Sequence, residues 1–286
     1  MVTRAIRAGH GVLEWLGDAA RPWLHFAHAT GMCAEVYARL LEPLAGAFNI
    51  VASDARGHGR STLPADPAAL ASWRAYQDDL AALLATYDAP AWLLAGHSMG
   101  ASVSIELAAR APGLATAVVL VEPAFVPFDG VAPWRAGGVA NPMADQAARR
   151  RDRFASVAEA RAQWHGRGVF RGWDDADLDA YLADGLRADG DAVVLACTPA
   201  WEAATFAAVT VHVEAAVRAW QGPLALLHGT RFSTVSQADA DTIAALGGNV
   251  TRIDGASHFL PLEHPDTVRV AIRAAAAAGT VARARR

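Results

Sequence analysis

Ala91-Trp92-Leu93-Leu94-Ala95-Gly96-His97-Ser98-Met99-Gly100-Ala101 is the stretch that decides how this chain folds. The apolar run Ala91 to Ala95 has the make-up of a buried strand, and Ala101 to Arg110 reads as a helix. A G-x-S-x-G between the two is a sharp strand-to-helix turn with the serine at its tip. Glycine at 96 and 100 permits the turn, because a Cβ at either position would crowd the neighbouring strand and helix. Ser98 then stands over the positive end of the following helix. It can attack a carbonyl carbon there if a base takes its proton. A plain Gly/Ser turn without chemistry fits the pentapeptide alone, but not its strand-before, helix-after setting.

Strand and helix signals alternate outward from this point. Val12 to Trp15, Trp23 to Ala27, Asn49 to Ala52, Val118 to Val121, Leu224 to Leu227 and Val250 to Ile253 read as strands. Glu35 to Leu44, Ser72 to Tyr87 and the chain from Asp266 onward read as helices. The alternation predicts an α/β fold, a mainly parallel central sheet wrapped by helices. Between Pro123 and Gln221 the rhythm lapses into several helical stretches with Trp134, Trp164, Trp173, Trp201 and Trp220. That segment is expected to be a helical cap, residues 123–220, inserted after the sixth strand into a core of residues 1–122 and 221–286. One domain with an insertion suits a chain of 286 residues.

Composition narrows the partners. Hydrophobic residues at 53% with 19% charged are enough for a large core and exclude disorder. A net charge of −4 offers nucleic acid nothing. The basic run Arg149-Arg150-Arg151-Asp152-Arg153 is offset by Asp145, Asp152 and Glu159 and is expected to be a solvated helix face. Asp174, Asp175, Asp177 and Asp179 read as a helix start with no His or Cys at ligand spacing, so no metal and no cofactor are expected. Cys33 and Cys197, far apart in sequence, suit buried free thiols. No apolar run of membrane-spanning length occurs, and the Ala274 to Ala278 tract is a helix former. A cytoplasmic protein acting on a small molecule, with no membrane partner, is the expectation; the oligomeric state stays open.

Four landmarks in order resemble the α/β-hydrolase fold family over nearly the whole core. They are His28-Ala29-Thr30-Gly31 after a strand, Asp54-Ala55-Arg56-Gly57-His58-Gly59-Arg60-Ser61, the elbow at Ser98, and Ser257-His258-Phe259-Leu260-Pro261. The resemblance implies a serine nucleophile at Ser98 and a histidine base at His258, whose imidazole titrates near neutrality. Two backbone N–H groups should face the developing oxyanion. Position assigns one to Met99, and the resemblance assigns the other to Thr30, although Ala29 stands where the family commonly has glycine.

The acid departs from the common pattern. Many members carry aspartate after the seventh strand, in a stretch like H-G-x-x-D; here it is His228-Gly229-Thr230-Arg231-Phe232. Nothing from His228 to Gln237 is acidic. Glu122, directly after Val118 to Val121, is the substitute the resemblance offers, because some members carry their acid at the end of the sixth strand and the order Ser, acid, His is preserved. A carboxylate at the end of a buried strand is also costly without a partner. Asp254 and Asp129 are the reserves, and Glu122 as a plain hinge residue before Pro123 is the competing reading. Asp54 is expected to anchor the Arg56 to Ser61 loop. His25, Trp201 and Phe206 are candidate substrate contacts, with packing of cap on core the alternative for the two aromatics.

A serine rather than a carboxylate at the elbow points to acyl chemistry on an ester or related carbonyl of a largely apolar molecule. Carbon–carbon bond hydrolysis and thioester hydrolysis use the same groups and stay open. A non-catalytic receptor or a cofactor-free lyase on the same fold is the alternative of another class.

Overall fold

The computed structural model describes residues 1–137 and 141–284. The chain opens with an antiparallel pair, β1 (Thr3–Arg7) and β2 (His10–Trp15), then enters β3 (Trp23–Ala27). The helix expected over Glu35 to Leu44 is broken. A 3₁₀ turn at Ala34–Tyr37, one α-turn α1 (Ala38–Leu41) and a second 3₁₀ turn at Glu42–Leu44 replace it, with Pro43 at the last break. β4 (Asn49–Ser53), α2 (Arg74–Leu84), β5 (Trp92–His97), α3 (Met99–Arg110) and β6 (Ala115–Val121) follow. After the long insertion come β10 (Leu224–Arg231), α10 (Gln237–Ala245), β11 (Asn249–Ser257), α11 (Leu260–Glu263) and α12 (Pro265–Ala284).

The eight strands of the main sheet lie in the order β1-β2-β4-β3-β5-β6-β10-β11. β3, β4, β5, β6, β10 and β11 pair in parallel; β2 alone runs against the rest, antiparallel to both β1 and β4. Buried strands such as Val118-Val119-Leu120-Val121 are apolar on both faces because helices cover both sides. One face packs on α12 and the Ala34–Leu44 turns through Leu24, Phe26, Leu93 and Ile272. The other packs on α2, α3 and α10 through Leu94, Ile105, Leu83 and Ile243. The strand order reverses at β3 and β5, so the chain leaves these neighbours in opposite directions and a crevice opens above their C-terminal ends. Ala27 pairs with Gly96 there, which sets the turn after β3 beside Ser98.

The inserted segment holds α4 (Val131–Arg135), α5 (Pro142–Ala148), β7 (Arg153–Phe154), α6 (Val157–Trp164), α7 (Asp175–Gly185), β8 (Leu186–Asp189), β9 (Ala192–Leu195), α8 (Pro199–Ala207) and α9 (Val213–Ala219). It is not wholly helical, because β7, β9 and β8 form a small antiparallel sheet around the turn at Asp189–Ala192. The basic run is also not a helix face. α5 ends at Ala148, Arg149 to Asp152 follow as loop, and Arg153 enters β7. Arg150 within it turns inward. Trp73, just before α2, and Tyr76 of α2 hold this segment by hydrogen bonds to the Thr205 carbonyl and hydroxyl.

Among the described residues no helix is long and apolar enough to cross a membrane. No group of three or more His, Cys, Asp or Glu side chains among the described residues is arranged to hold a metal ion. Asp174 and Asp177 instead pair with Arg39, and Asp175 and Asp179 with Arg161. Cys33 and Cys197 are both free and buried.

Candidate active site

Ser98 adopts φ 54° and ψ −120°, a left-handed conformation that non-glycine residues rarely take. The elbow holds it there. Ser98 N–H donates to the Val121 carbonyl at 3.0 Å, while the Ser98 carbonyl accepts from Ala101 and Ala124. A Cβ on Gly96 would lie 2.5 Å from the Gly100 backbone, and one on Gly100 would lie 2.3 Å from the Ala27 carbonyl oxygen. Both approaches are closed to any larger residue.

Ser98 Oγ lies 3.1 Å from His258 Nε2. His258 Nδ1 lies 3.3 Å from Glu122 Oε2. Residues from the ends of three strands, β5, β6 and β11, thus converge across 160 positions of sequence. Asp254 pairs with Arg252 at the surface and Asp129 is exposed; neither meets His258.

Glu122 is fully buried and also takes a positive φ, 48°. Its N–H continues the sheet to Leu227, and its carboxylate collects donors from the loop after β10. Gly229 N–H donates to Oε1, Ser233 Oγ to both oxygens at 2.9 and 3.0 Å, and Thr234 N–H to Oε2 at 3.0 Å. Burial pushes this carboxyl up, but the His258 imidazole and the amides of Gly229 and Thr234 outweigh it and hold the acid below its ordinary range. Phe232 is 91% exposed at φ 51°, so its side chain leaves the site entirely.

Thr30 sits in the turn after β3, and Met99 opens α3. Neighbouring amides of that turn are engaged: Ala29 N–H donates to Tyr37 OH and Gly31 N–H to His58 Nε2. No acceptor within the protein is found for the Thr30 or Met99 N–H among the described residues. The arrangement can therefore take a proton from Ser98 and hold the imidazolium against Glu122.

His28 and His58 are buried structural groups. His28 accepts from Ala55 N–H at 2.9 Å, and burial pushes it down to about 4. His58 accepts from Gly31, and burial pushes it down to about 3. Of the candidate substrate contacts, His25 lies within the core. It is fully buried two residues inside β3, bonded to Ser53 Oγ, and faces an internal cavity of about 30 Å³ with His10, Tyr76 and Asp79. Asp54 accepts from Arg60 N–H and Ala34 N–H, which anchors its loop.

Trp201 is also buried, with Nε1 donating to the Arg56 carbonyl at 3.0 Å and the indole filling the space a Cβ on Gly57 would need. It fastens α8 to the Arg56–Ser61 loop, the packing alternative. Phe206 is half-buried, and its carbonyl accepts from Asn141. Two residues that the sequence did not single out stand nearer the turn. A Cβ on Gly31 would lie 2.5 Å from Glu202 Oε1 and 3.5 Å from Arg150 Nη1. Arg150 pairs with Glu202 at 2.5 Å and donates to Tyr181 OH, with 26% of its side chain exposed. Burial lowers the guanidinium's proton affinity, but Tyr181 and Glu202 more than reverse this. Only spacing in the fold unites these residues; no local sequence signal marks them.

Residues 18–265 match the family described as serine aminopeptidase, S33, and the chain belongs to it, a hydrolase family of the α/β-hydrolase fold. A curated relative, 2-(acetamidomethylene)succinate hydrolase of Mesorhizobium japonicum, is 31% identical over 129 residues, 44% of each chain. The chain spans less than half the length of the curated relatives it matches. The crystal structure of E-2-(acetamidomethylene)succinate hydrolase superposes with a TM-score of 0.78 at 22% identity, covering 96% of this chain and 98% of that one. A thioesterase domain from the curacin biosynthetic pathway does so with 0.69 at 15% identity over 95% and 98%.

Proposed function

We propose that the protein is a serine hydrolase that cleaves an ester or related acyl carbonyl through an acyl-enzyme. The observation that carries this reading is the continuous Ser98–His258–Glu122 hydrogen-bond line, with the acid held ionised. Ser98 Oγ attacks the carbonyl carbon as His258 Nε2 takes its proton; Thr30 and Met99 amides receive the oxyanion. Collapse expels the leaving group, which takes the proton from His258. Water, deprotonated by His258, then attacks the acyl carbon and releases Ser98. A receptor has no need of this line, and a lyase has no need of a nucleophile in it.

An aromatic run leads from the imidazole through Phe259, Trp173 and Phe170 to Tyr181, with successive ring centroids 5.0 to 5.8 Å apart. It supports a largely apolar acyl group under the segment 123–220, which acts as a cap on a core of 1–122 and 221–286. A second reading adds one carboxylate to that substrate. Arg150 favours it, since the guanidinium lies against the turn that carries Thr30, and a relative's name specifies a succinate.

Labelling by a fluorophosphonate, read as intact mass, tests the main reading. One adduct is expected on the wild type and none on Ser98→Ala at unchanged melting temperature. A folded wild type that stays unlabelled, by a small probe as well as a large one, would overturn it.

A further inference from the structure

The elbow residue before the nucleophile has no part in the proton path, yet its ring is fully engaged. His97 Nδ1 lies 2.7 Å from Tyr37 OH, and His97 Nε2 lies 2.7 Å from the backbone carbonyl of His258. Tyr37 OH in turn receives the Ala29 N–H at 3.3 Å. Both side chains are buried, and Tyr37 packs on Phe26 with centroids 4.9 Å apart.

Donors and acceptors along this line admit one direction. A backbone carbonyl only accepts, so His97 Nε2 must carry the hydrogen. Nδ1 of the neutral ring is then the acceptor, and the Tyr37 hydroxyl must donate to it. The hydroxyl oxygen is left to accept from Ala29. Every group has its partner only when His97 is the neutral Nε2–H tautomer. Burial keeps the ring uncharged, pushing its pKa well below the ordinary histidine value.

We propose that Tyr37 and His97 are positioning residues that tie the turn carrying Thr30 and the loop carrying His258 to the elbow carrying Ser98. The three parts of the reaction lie on separate strands, and no covalent link shorter than the sheet sets their spacing. One directed chain, Ala29 N–H to Tyr37 to His97 to His258 C=O, joins all three at their tips. The His258 loop has a second tether, since Ser257 N–H and Oγ both donate to Glu263. The turn after β3 is held independently at Gly31 by His58. Tyr37 and His97 therefore set the spacing between loops rather than the fold of each. This rests on the serine-hydrolase reading above.

The test has one arm that needs no turnover. In the wild type carrying ¹⁵N-histidine, imidazole ¹⁵N–¹H correlation at neutral pH should show His97 as the Nε2–H tautomer, assigned by the signal lost in His97→Gln. The Nδ1–H tautomer or a charged ring would overturn the proposal. The second arm is kinetic, with p-nitrophenyl butyrate. Tyr37→Phe should lower kcat about 10- to 100-fold with KM held within about twofold, as expected when reacting groups are misplaced by less than about an ångström. Gln places an N–H near the Nε2 position, and Asn places an acceptor near the Nδ1 position. His97→Gln should therefore keep more of kcat than His97→Asn, because it retains the bond to the base loop. Wild-type kcat in Tyr37→Phe, or the reverse order of Gln and Asn, would overturn the proposal. Should His97→Asn not fold, Tyr37→Phe and the wild-type tautomer decide it. A wild type inert towards the ester and the fluorophosphonate would instead sink the hydrolase reading, with the tautomer still deciding the chain of bonds.

Discussion

The loops that follow β6 and β10 stand side by side and divide one task in an unexpected way. The first supplies the carboxylate, Glu122, bent back by a positive φ onto its neighbour. The second supplies no acid; it curls Ser233 and Thr234 under that carboxylate and turns Phe232 out to solvent. A second buried carboxylate shows why the donors matter. Glu106, in the middle of α3, accepts only from the Gln77 amide and the Thr210 hydroxyl, and burial pushes it up to about 7. Glu122 is as deeply buried but meets backbone amides and an imidazole, and is held down instead. An acid can thus move from one strand end to the next, provided the vacated loop becomes its hydrogen-bond cradle.

The largest break in that comparison is Glu122→Gln. It keeps the shape and most of the cradle but leaves the imidazolium uncompensated, so ester turnover should fall by about 10³- to 10⁴-fold. Near-normal rates would assign the acid elsewhere. Adding Phe232→Asp to that variant should recover nothing, because the side chain at 232 points outward; recovery beyond about tenfold would mean that the second loop can still host the acid.

Ser233→Ala sharpens the point at lower cost. It removes one hydroxyl donor from a charged acceptor, worth about 1.5–3 kcal/mol, and should lower kcat about tenfold. Stability should also respond in acid. Glu122 is held below its unfolded value, so its contribution is present above the ordinary carboxylate range and is lost as pH falls through the native value. Denaturant midpoints should show Ser233→Ala losing stability at a higher pH than the wild type does.

Glu106→Gln should leave turnover unchanged and affect stability with the opposite sign. With the native value raised, the wild type is least burdened below about pH 4, loses stability as pH rises towards 7, and stays level above that. The variant should therefore match the wild type near pH 4 and exceed it at pH 9 by on the order of 2 kcal/mol. A variant no more stable at pH 9 would mean that Glu106 is ionised there without penalty.

The local parts of this protein were legible in its sequence. The elbow needs only Gly96, Gly100 and a strand and helix on either side, and the mainly parallel sheet follows from the alternation of strands with helices; the order of strands does not. Glu122 was readable because members of the resembled family carry an acid at the end of this strand, and because a lone carboxylate closing an apolar strand calls for a partner. Features that depend on distant pairs were not readable. β1 is polar and half-exposed, so it lacks the pattern of a buried strand. Arg150 sits in a basic run that looks solvated, and Glu202, 52 residues on, and Tyr181, 31 residues on, draw it inward. His97 and Tyr37 are 60 residues apart and meet only because β3 and β5 are neighbours.

The indole of Trp201 occupies the space beside Gly57 so fully that a single methyl group there would lie 2.2 Å from its nitrogen. The constraint runs one way: a side chain at 57 requires residue 201 to shrink or move, and with it to give up the hydrogen bond that seats α8 on the Arg56–Ser61 loop. A smaller residue at 201 would ask nothing of position 57.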